Sequence, residues 1–348
     1  MFKFIDNFYD WWKNIDKIIL FLIIILFFLG LFFSLVSTSL IASDKLDTNS
    51  YFFFLKHLIF ITLGTLTLFL FSILKEEFLL QLSLILFCFI FITLLMVPLI
   101  GIEVKGSKRW LDLGFLPRFQ PIELLKPYFI IIISSLLCIN KNIYYKYLLS
   151  GLVLLPVVLL LLSQPDLGQT LLITMVWLTL IFISGINIFL FFLFFTLSIS
   201  LSAYLIFFVS KFEYIKIRIF SFLDTSSGNN YQADRASDAI SSGGFFGKGI
   251  GEGTLNSRVP EAHTDYIISV ISEEFGVIIV ILIMIIFLIF SYNVIRKIDQ
   301  KISEKNKLIL IGCVTLLLLQ TFVHIGVNIR LFPTTGMTLP FLSYGGSS

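Results

Sequence analysis

The feature of this sequence that most constrains its fold is a series of long apolar runs, of which "VIIVILIMIIFLIF" (277–290) is one. A helix needs about 20 apolar residues to cross the hydrocarbon core of a bilayer. Only 14% of the 348 residues are charged, whereas a soluble domain carries about 25%. A transmembrane β-barrel would show short segments of alternating polarity instead. The sequence therefore predicts an all-α polytopic membrane protein, with 1–348 as a single integral membrane domain.

The apolar runs predict nine membrane helices. We place them at 18–40, 52–74, 78–100, 122–139, 146–163, 168–184, 186–209, 266–295 and 307–329. The segment "RKIDQKISEKNK" (296–307) holds five Lys and Arg residues, and the positive-inside rule therefore places it in the cytoplasm. Counting back across the helices makes 1–17 a cytoplasmic N-terminus.

The same count places several loops outside the cytoplasm. The largest of them, 210–265, lies between helices 7 and 8, and we expect it to contain short interfacial helices. The C-terminal segment 330–348 is dense in Pro, Gly and Thr. Irregular backbone at membrane depth is tolerated where it is buried in protein or lines a cavity, and this segment therefore indicates a cavity on the outer side.

One predicted external segment, 105–126, is rich in cations, namely Lys105, Lys108, Arg109, Arg118 and Lys126. Two interpretations remain open. The cations could anchor the segment at the membrane interface beside Trp110, with their stems along apolar surface. Alternatively, Arg109 and Lys126 could bind phosphate oxygens, the arginine through its planar fork and the lysine as a point charge.

The acidic segment "PEAHTDYIISVISEEFG" (260–276) runs directly into the eighth apolar helix. Asp265 at its start has two interpretations, a helix cap and a functional carboxylate. Glu273 lies about 12 Å deeper by helical rise, and helical periodicity places it on the same side as Asp265. We expect both to line one cavity, because carboxylates at that depth usually face a protein interior or water. Glu274 points the other way and is expected to bond another helix.

Several functional classes are excluded by their missing patterns. The glycine-rich "GGFFGKGIGEG" (243–253) fits neither the GxxxxGK[ST] nor the GxGxxG phosphate-binding pattern. The sequence shows no HExxH zinc pattern and no GxSxG nucleophile elbow. No nucleotide and no nucleic-acid partner is therefore expected.

Six segments together resemble the SEDS family of bacterial cell-wall proteins, whose branches are FtsW, RodA and SpoVE. They are "GSKRWLDLG", "RFQPIELLK", "QPDLGQTLL", "YQADRASDAISSGGFFGKGIGEG", "PEAHTDYIISVISEEFG" and "LFPTTGMTLPFLSYGGSS". They occur in the family's order and are spread along the chain from about residue 100 to its end. The segments "GMTLPFLSYGGSS" and "EGTLNSRVPEAHTD" are most similar to the FtsW branch.

The resemblance implies a SEDS-type bundle of about ten transmembrane helices, of which nine are visible here because the sequence ends where the tenth should begin. It implies a peptidoglycan glycosyltransferase that polymerises lipid II with inversion at the anomeric carbon and undecaprenyl pyrophosphate as leaving group. The implied partners are a class B penicillin-binding transpeptidase, other divisome membrane proteins and membrane lipids. The implied location is the inner membrane at the division septum, with the active site facing the periplasm.

The family's catalytic aspartate falls on Asp265, and the arginine of its "RW" pair falls on Arg109. Its Glu and Lys in the "QPxExxK" segment fall on Glu123 and Lys126. The substrate and pyrophosphate-binding residues expected from the family and the cation cluster are Arg109, Lys126, Glu123, Lys108 and Glu273. No cofactor is assigned, and a divalent cation, Mg²⁺ or Mn²⁺, is the alternative stabiliser of the pyrophosphate.

Three other functions use the same features. A lipid II flippase would need the same cavity and cations but would make no new covalent product. An elongation-type, RodA-like polymerase would share the chemistry in another cellular context. A noncatalytic scaffold could activate the transpeptidase, but it would not need acidic residues and a cation cluster on the same side of the membrane.

Overall fold

The computed structural model describes most of the chain. The described residues are 11–45, 51–104, 107–114, 117–139, 143–223, 231–255, 259–262, 264–299 and 302–344. Lys105 of the cation cluster lies outside them, as do the histidine of the "HTD" motif, the first ten residues of the expected cytoplasmic N-terminus and part of the large loop.

The described chain is built from helices and one small hairpin. The helices before the large loop are α1 (Lys17–Lys45), α2 (Phe52–Ile73), α3 (Glu76–Ile100), α4 (Pro121–Leu137), α5 (Ile143–Ser163), α6 (Leu167–Ile183) and α7 (Ile188–Phe208). Those from the loop onwards are α8 (Glu213–Leu223), α9 (Tyr231–Gly243), α10 (Ile267–Phe275), α11 (Val277–Arg296) and α12 (Glu304–Asn328). The strands are β1 (Ile102–Val104) and β2 (Ser107–Trp110), and short 3-10 turns occupy Ser210–Phe212 and Lys297–Asp299.

The prediction of a polytopic helical membrane protein is confirmed. Seven described helices are long and apolar enough to cross a membrane, namely α1, α2, α3, α5, α7, α11 and α12. The helices α4 and α6 have 17 residues each and pack in the interior of the bundle. Eight of the nine predicted helices match a single observed helix to within a few residues.

The prediction of one continuous eighth helix is wrong. The helix breaks at Gly276, whose φ is +83°, and this break separates the buried α10 from α11. A Cβ at Gly276 would lie 2.1 Å from the carbonyl oxygen of Phe245. The glycine-rich loop therefore comes too close for any side chain here. Its Gly244 carbonyl accepts the N–H of Val277, at 3.0 Å, and so takes over part of the interrupted hydrogen-bond ladder.

A second difference is the antiparallel hairpin β1–β2, where only a loop was predicted. Strands of three and four residues are too short to give a clear alternating pattern in the sequence. The large loop contains two short helices, α8 and α9, as expected. Buried Ala233, Ala236 and Ala239 of α9 present small side chains, so α9 packs closely on α10.

The bundle has two distinct ends. The main apolar core lies between α3, α4, α5 and α6. At one end, the predicted cytoplasmic segments meet, with Lys297 Nζ 2.5 Å from Asp16 Oδ2 and Lys305 Nζ 3.0 Å from Glu76 Oε1. At the other end, the hairpin, the described part of the large loop and the C-terminal segment converge. The loops predicted to share one side of the membrane therefore share one end of the bundle.

A pair of glycine substitutions tests the packing of the glycine-rich loop on α10. Gly247 and Gly251 have similar φ values of +78° and +77°. A Cβ at Gly247 would lie 2.1 Å from the Glu274 carbonyl oxygen, whereas a Cβ at Gly251 would meet nothing within 4 Å. Alanine should strain both positions by about 1–2 kcal/mol. Only Gly247→Ala should in addition push the loop off α10, and it should therefore lower the thermal unfolding midpoint of the detergent-purified protein further than Gly251→Ala. Equal midpoints for the two variants would contradict this packing.

Candidate active site

A cavity of about 480 Å³ opens at the end of the bundle where the predicted external segments converge. Its walls come from β2, the start of α4, α8, α9, the turn before α10 and the C-terminal segment, and include Arg109, Glu123, Arg218, Asp265 and Thr335. Pockets for small ligands usually measure about 300–1,000 Å³. The cavity is therefore large enough for a polar headgroup.

Asp265 lies on the cavity wall in the turn that precedes α10. The turn is fixed by backbone bonds: the Asp265 N–H donates to the Glu261 carbonyl at 3.1 Å, and the Asp265 carbonyl accepts from Asn328 Nδ2 at 3.2 Å. The N-cap of α10 is Tyr266, and it makes no side-chain cap bond. The helix-cap interpretation of Asp265 is therefore wrong, and its carboxylate is a cavity group.

Arg109, at the end of the hairpin, is held on the turn between α5 and α6. Its Nε donates to the Gln164 carbonyl at 3.3 Å, its Nη2 donates to the Pro165 carbonyl, and its Nη1 lies 3.7 Å from Asp166 Oδ1. Burial raises the pKa of Asp166, and the Arg109 charge opposes that rise. Only 13% of the Arg109 side chain is exposed. The interfacial-anchor interpretation is therefore wrong for Arg109, which faces the cavity from a fixed position.

Gly336 brings the acid and the cation together. A Cβ at this position would lie 3.5 Å from Asp265 Oδ2 and 3.8 Å from Arg109 Nη1. Its φ of +67° is one that residues with a side chain rarely adopt. Segments that are distant in sequence thus place a carboxylate and a guanidinium within 4 Å of one point, and glycine keeps that point open.

Glu123 and Lys126 form a buried ion pair in the first turns of α4, with Nζ 2.6 Å from Oε2. Lys126 Nζ also donates to Gln320 Oε1 of α12 at 3.0 Å, and Gln169 Nε2 of α6 donates to Glu123 Oε1. Glu123 lines the cavity, whereas Lys126 does not and is 3% exposed. That Lys126 contacts the ligand stays a prediction, and in this structure its ammonium group holds Glu123 in place.

Two further predicted site residues do not line the cavity. Lys108 is exposed on β2, because successive side chains of a strand point to opposite faces and its neighbour Arg109 takes the cavity face. Glu273 is fully buried. Its Oε1 accepts from the backbone N–H groups of Thr254 and Leu255, each at 3.0 Å, and lies 3.1 Å from Lys248 Nζ.

Glu273 of α10 therefore holds the glycine-rich loop in place through these hydrogen bonds and this ion pair. The expectation that it shares a cavity with Asp265 is wrong because Asp265 lies in a turn and α10 begins only at Ile267. Helical periodicity cannot be counted from a residue that is outside the helix. The neighbouring Glu274 is also buried within α10.

Sequence reasoning missed Arg218, which reaches the cavity from α8. Burial lowers the pKa of its guanidinium, and the nearby Arg109 charge lowers it further. Burial also raises the pKa of Tyr214, one turn earlier in α8, to about 12. The signal in the sequence is Arg218 itself, which together with Lys216 interrupts the otherwise apolar stretch "YIKIRIF" (214–220). The cations of segment 105–126 are more numerous and gave the stronger signal.

The described residues contain no group of three or more His, Cys, Asp or Glu side chains that could hold a metal ion. We therefore assign no step to a protein-held metal. The arrangement has two chemical capacities. Asp265 can accept a proton from a hydroxyl group, and the guanidinium of Arg109 can stabilise negative charge that develops across the cavity from it.

Comparison with known proteins places this architecture in a family. The FtsW/RodA/SpoVE family model, described as "Cell cycle protein", matches residues 16–348. The chain is 30% identical to a protein of Caulobacter vibrioides over 97% of this chain and 86% of that one. It is 33% identical to a protein of Coxiella burnetii over 90% and 86%. Both relatives are named "Probable peptidoglycan glycosyltransferase FtsW".

Solved structures give the same result. A chain from work on "Structural coordination of polymerization and crosslinking by a peptidoglycan synthase complex" matches with a TM-score of 0.77 and 27% identity, over 96% of this chain and 93% of that one. The rod shape determining protein RodA of Thermus thermophilus matches with a TM-score of 0.69 and 25% identity, over 97% and 92%. This chain belongs to the FtsW/RodA/SpoVE family of cell cycle proteins.

Proposed function

We propose that this protein is a peptidoglycan glycosyltransferase that polymerises lipid II into glycan strands. The observation that carries the proposal is the meeting of Asp265 Oδ2 and Arg109 Nη1 at the open point beside Gly336. A sugar-transfer reaction with a pyrophosphate leaving group needs a base on one side of the reacting carbon and positive charge on the other. Relatives that match nearly the whole chain are named for this activity.

The proposed step is a single displacement. The 4-hydroxyl oxygen of the acceptor sugar attacks the anomeric carbon of the donor, and its proton passes to Asp265. The bond from the anomeric carbon to the phosphate oxygen breaks, and the electron pair leaves with undecaprenyl pyrophosphate. Because attack and departure occur on opposite faces, the α-linked donor gives a β-linked product.

The remaining cavity groups have supporting roles in this proposal. Arg109 binds the departing pyrophosphate through Nη1, the nitrogen nearest Gly336, since Nε and Nη2 are engaged with the carbonyls of Gln164 and Pro165. Glu123 binds sugar hydroxyl groups at the start of α4, and Lys126 orients that carboxylate through the ion pair. Gly336 leaves room for the anomeric carbon between acid and cation.

The charge distribution and the relatives support a proposed cellular setting. We place the cavity on the periplasmic side of the inner membrane, because the cation-rich segment 296–307 lies at the opposite end of the bundle and positive segments stay in the cytoplasm. The similarity to FtsW proteins favours the division septum over elongation. A structural relative belongs to a peptidoglycan synthase complex that couples polymerisation to crosslinking. We therefore expect a class B penicillin-binding transpeptidase as the partner.

Substitution of Asp265 tests the assignment of the base. Asp265→Asn keeps the shape of the side chain but removes its basicity. It should lower the rate of glycan polymerisation by about 10²–10⁴-fold, the usual contribution of a general base. The measurement is gel analysis of glycan products made from labelled lipid II by the purified protein with its transpeptidase partner. Retention of lipid II binding by the variant is the control for folding.

Two results of this assay would contradict the proposal. A variant that polymerises at the wild-type rate would remove Asp265 as the base. A wild-type complex that moves labelled lipid II across a vesicle membrane but makes no glycan would instead favour the flippase.

Adjacent cations on β2 provide a matched test of the leaving-group site. Arg109→Ala should reduce lipid II turnover at least tenfold, because the departing pyrophosphate loses a charge-assisted partner. Lys108→Ala should stay near the wild-type rate, since Lys108 is exposed and does not line the cavity. Initial rates over a range of lipid II concentrations make the comparison. Equal losses in both variants would mean that the hairpin contributes only general positive charge.

A further inference from the structure

Arg218 differs from the other cations of the cavity wall in its partners. Three described cations line the cavity. Arg109 lies against Asp166, and Arg118 Nε lies 3.0 Å from Asp112 Oδ2. Arg218 forms no salt bridge within 4.0 Å to any carboxylate of the described residues. It is nevertheless half-buried, and a half-buried cation without a counter-charge is costly to keep.

The position of Arg218 adds to that cost. Arg218 and Arg109 line the same cavity, and the like charge of Arg109 lowers the pKa of Arg218 beyond the larger effect of burial. Arginine stays protonated under all physiological conditions, so the repulsion cannot be relieved by loss of a proton. A bound anion would relieve it by neutralising both guanidinium groups.

Tyr214 offers a second, independent observation. Its hydroxyl is buried and has no hydrogen-bond partner among the described residues. It lies four residues before Arg218 in α8, on the same face of the helix, and it senses the charges of Arg218, Arg109 and Asp166. Because its pKa is raised to about 12, the hydroxyl keeps its proton and remains a donor.

We propose that Arg218 is a second anion-binding residue of this cavity and takes the pyrophosphate of a lipid-linked substrate together with Arg109. Two planar guanidinium groups from different loops match the several oxygens of a pyrophosphate, which a single arginine cannot all engage. The hydroxyl of Tyr214 is buried one turn earlier in α8 and Tyr214 does not line the cavity, so the anion's contacts in this proposal are the two guanidinium groups. This inference rests on the proposed function, since it names the residues that bind the leaving group of that reaction.

Two substitutions in α8 test the inference in the purified complex with its transpeptidase partner. Arg218→Gln should weaken inhibition of polymerisation by inorganic pyrophosphate about tenfold or more, the size expected for loss of a charge-assisted hydrogen bond. It should also raise the KM for lipid II. Lys216→Gln, two residues away and off the cavity wall, should leave both values unchanged. Arg218→Lys keeps the charge and should give intermediate values.

A readout that does not depend on turnover separates this inference from the proposed function. Inorganic pyrophosphate should raise the thermal unfolding midpoint of the wild-type complex, and this rise should shrink in Arg218→Gln. Wild-type inhibition and stabilisation in Arg218→Gln would overturn the inference, even if polymerisation is observed. Should Arg218→Gln fail to fold, an inhibition constant for Arg218→Lys equal to that of the wild type would overturn it equally. A wild-type complex that binds pyrophosphate but makes no glycan would support the anion site at Arg218 and contradict the proposed polymerase activity.

Discussion

The buried ion pair between Glu123 and Lys126 stabilises the part of the cavity wall that α4 provides. Lipid offers no partner for a charge or a broken backbone, so both groups must be satisfied inside the protein. Gln169 from α6 and Gln320 from α12 complete the pair, and these bonds tie three helices together below the cavity. Removal of one partner would leave an uncompensated buried charge, which typically costs about 3–5 kcal/mol.

The same constraint organises the cavity walls. The C-terminal segment at the opening and the glycine-rich loop beside α10 are each fixed by polar contacts to a helix. Gln320 Nε2 donates to the Thr338 carbonyl, His324 Nδ1 lies 2.7 Å from the Met337 carbonyl oxygen, and Glu273 holds the glycine-rich loop. A rigid shell of this kind keeps acid and cation at a fixed separation, which is a condition for electrostatic stabilisation of a transition state.

Much of the fold could be predicted from the sequence, because membrane helices have a strong local signal. The runs of apolar residues located eight helices closely. The cations of 296–307, counted back across those helices, then grouped the described loops at the two ends of the bundle. The break at Gly276 could not be foreseen, because its cause is the approach of Phe245 from a distant loop. The hairpin at 102–110 was missed because its strands are too short to show a period.

The site was predictable only in part, and for a related reason. Asp265 and Arg109 lie in sequence motifs that indicate a functional carboxylate and an anion-binding arginine, and the structure brings both side chains close to Gly336. The sequence does not show which of the neighbouring charges only stabilise the fold, because that depends on tertiary contacts. Glu273 accepts from two backbone N–H groups, and Lys126 pairs with Glu123. Arg218 interrupts an apolar stretch of the sequence, but only the fold of α8 shows that it reaches the cavity.

We propose that the headgroup of lipid II reacts between Asp265 and Arg109. A structure of the Asp265→Asn variant with lipid II bound, in complex with its transpeptidase partner, tests this most directly. We expect a sugar hydroxyl within about 3 Å of the side chain at position 265, with pyrophosphate oxygens on the Arg109 guanidinium. A headgroup bound at the opposite end of the bundle, or one whose pyrophosphate points away from Arg109, would contradict it.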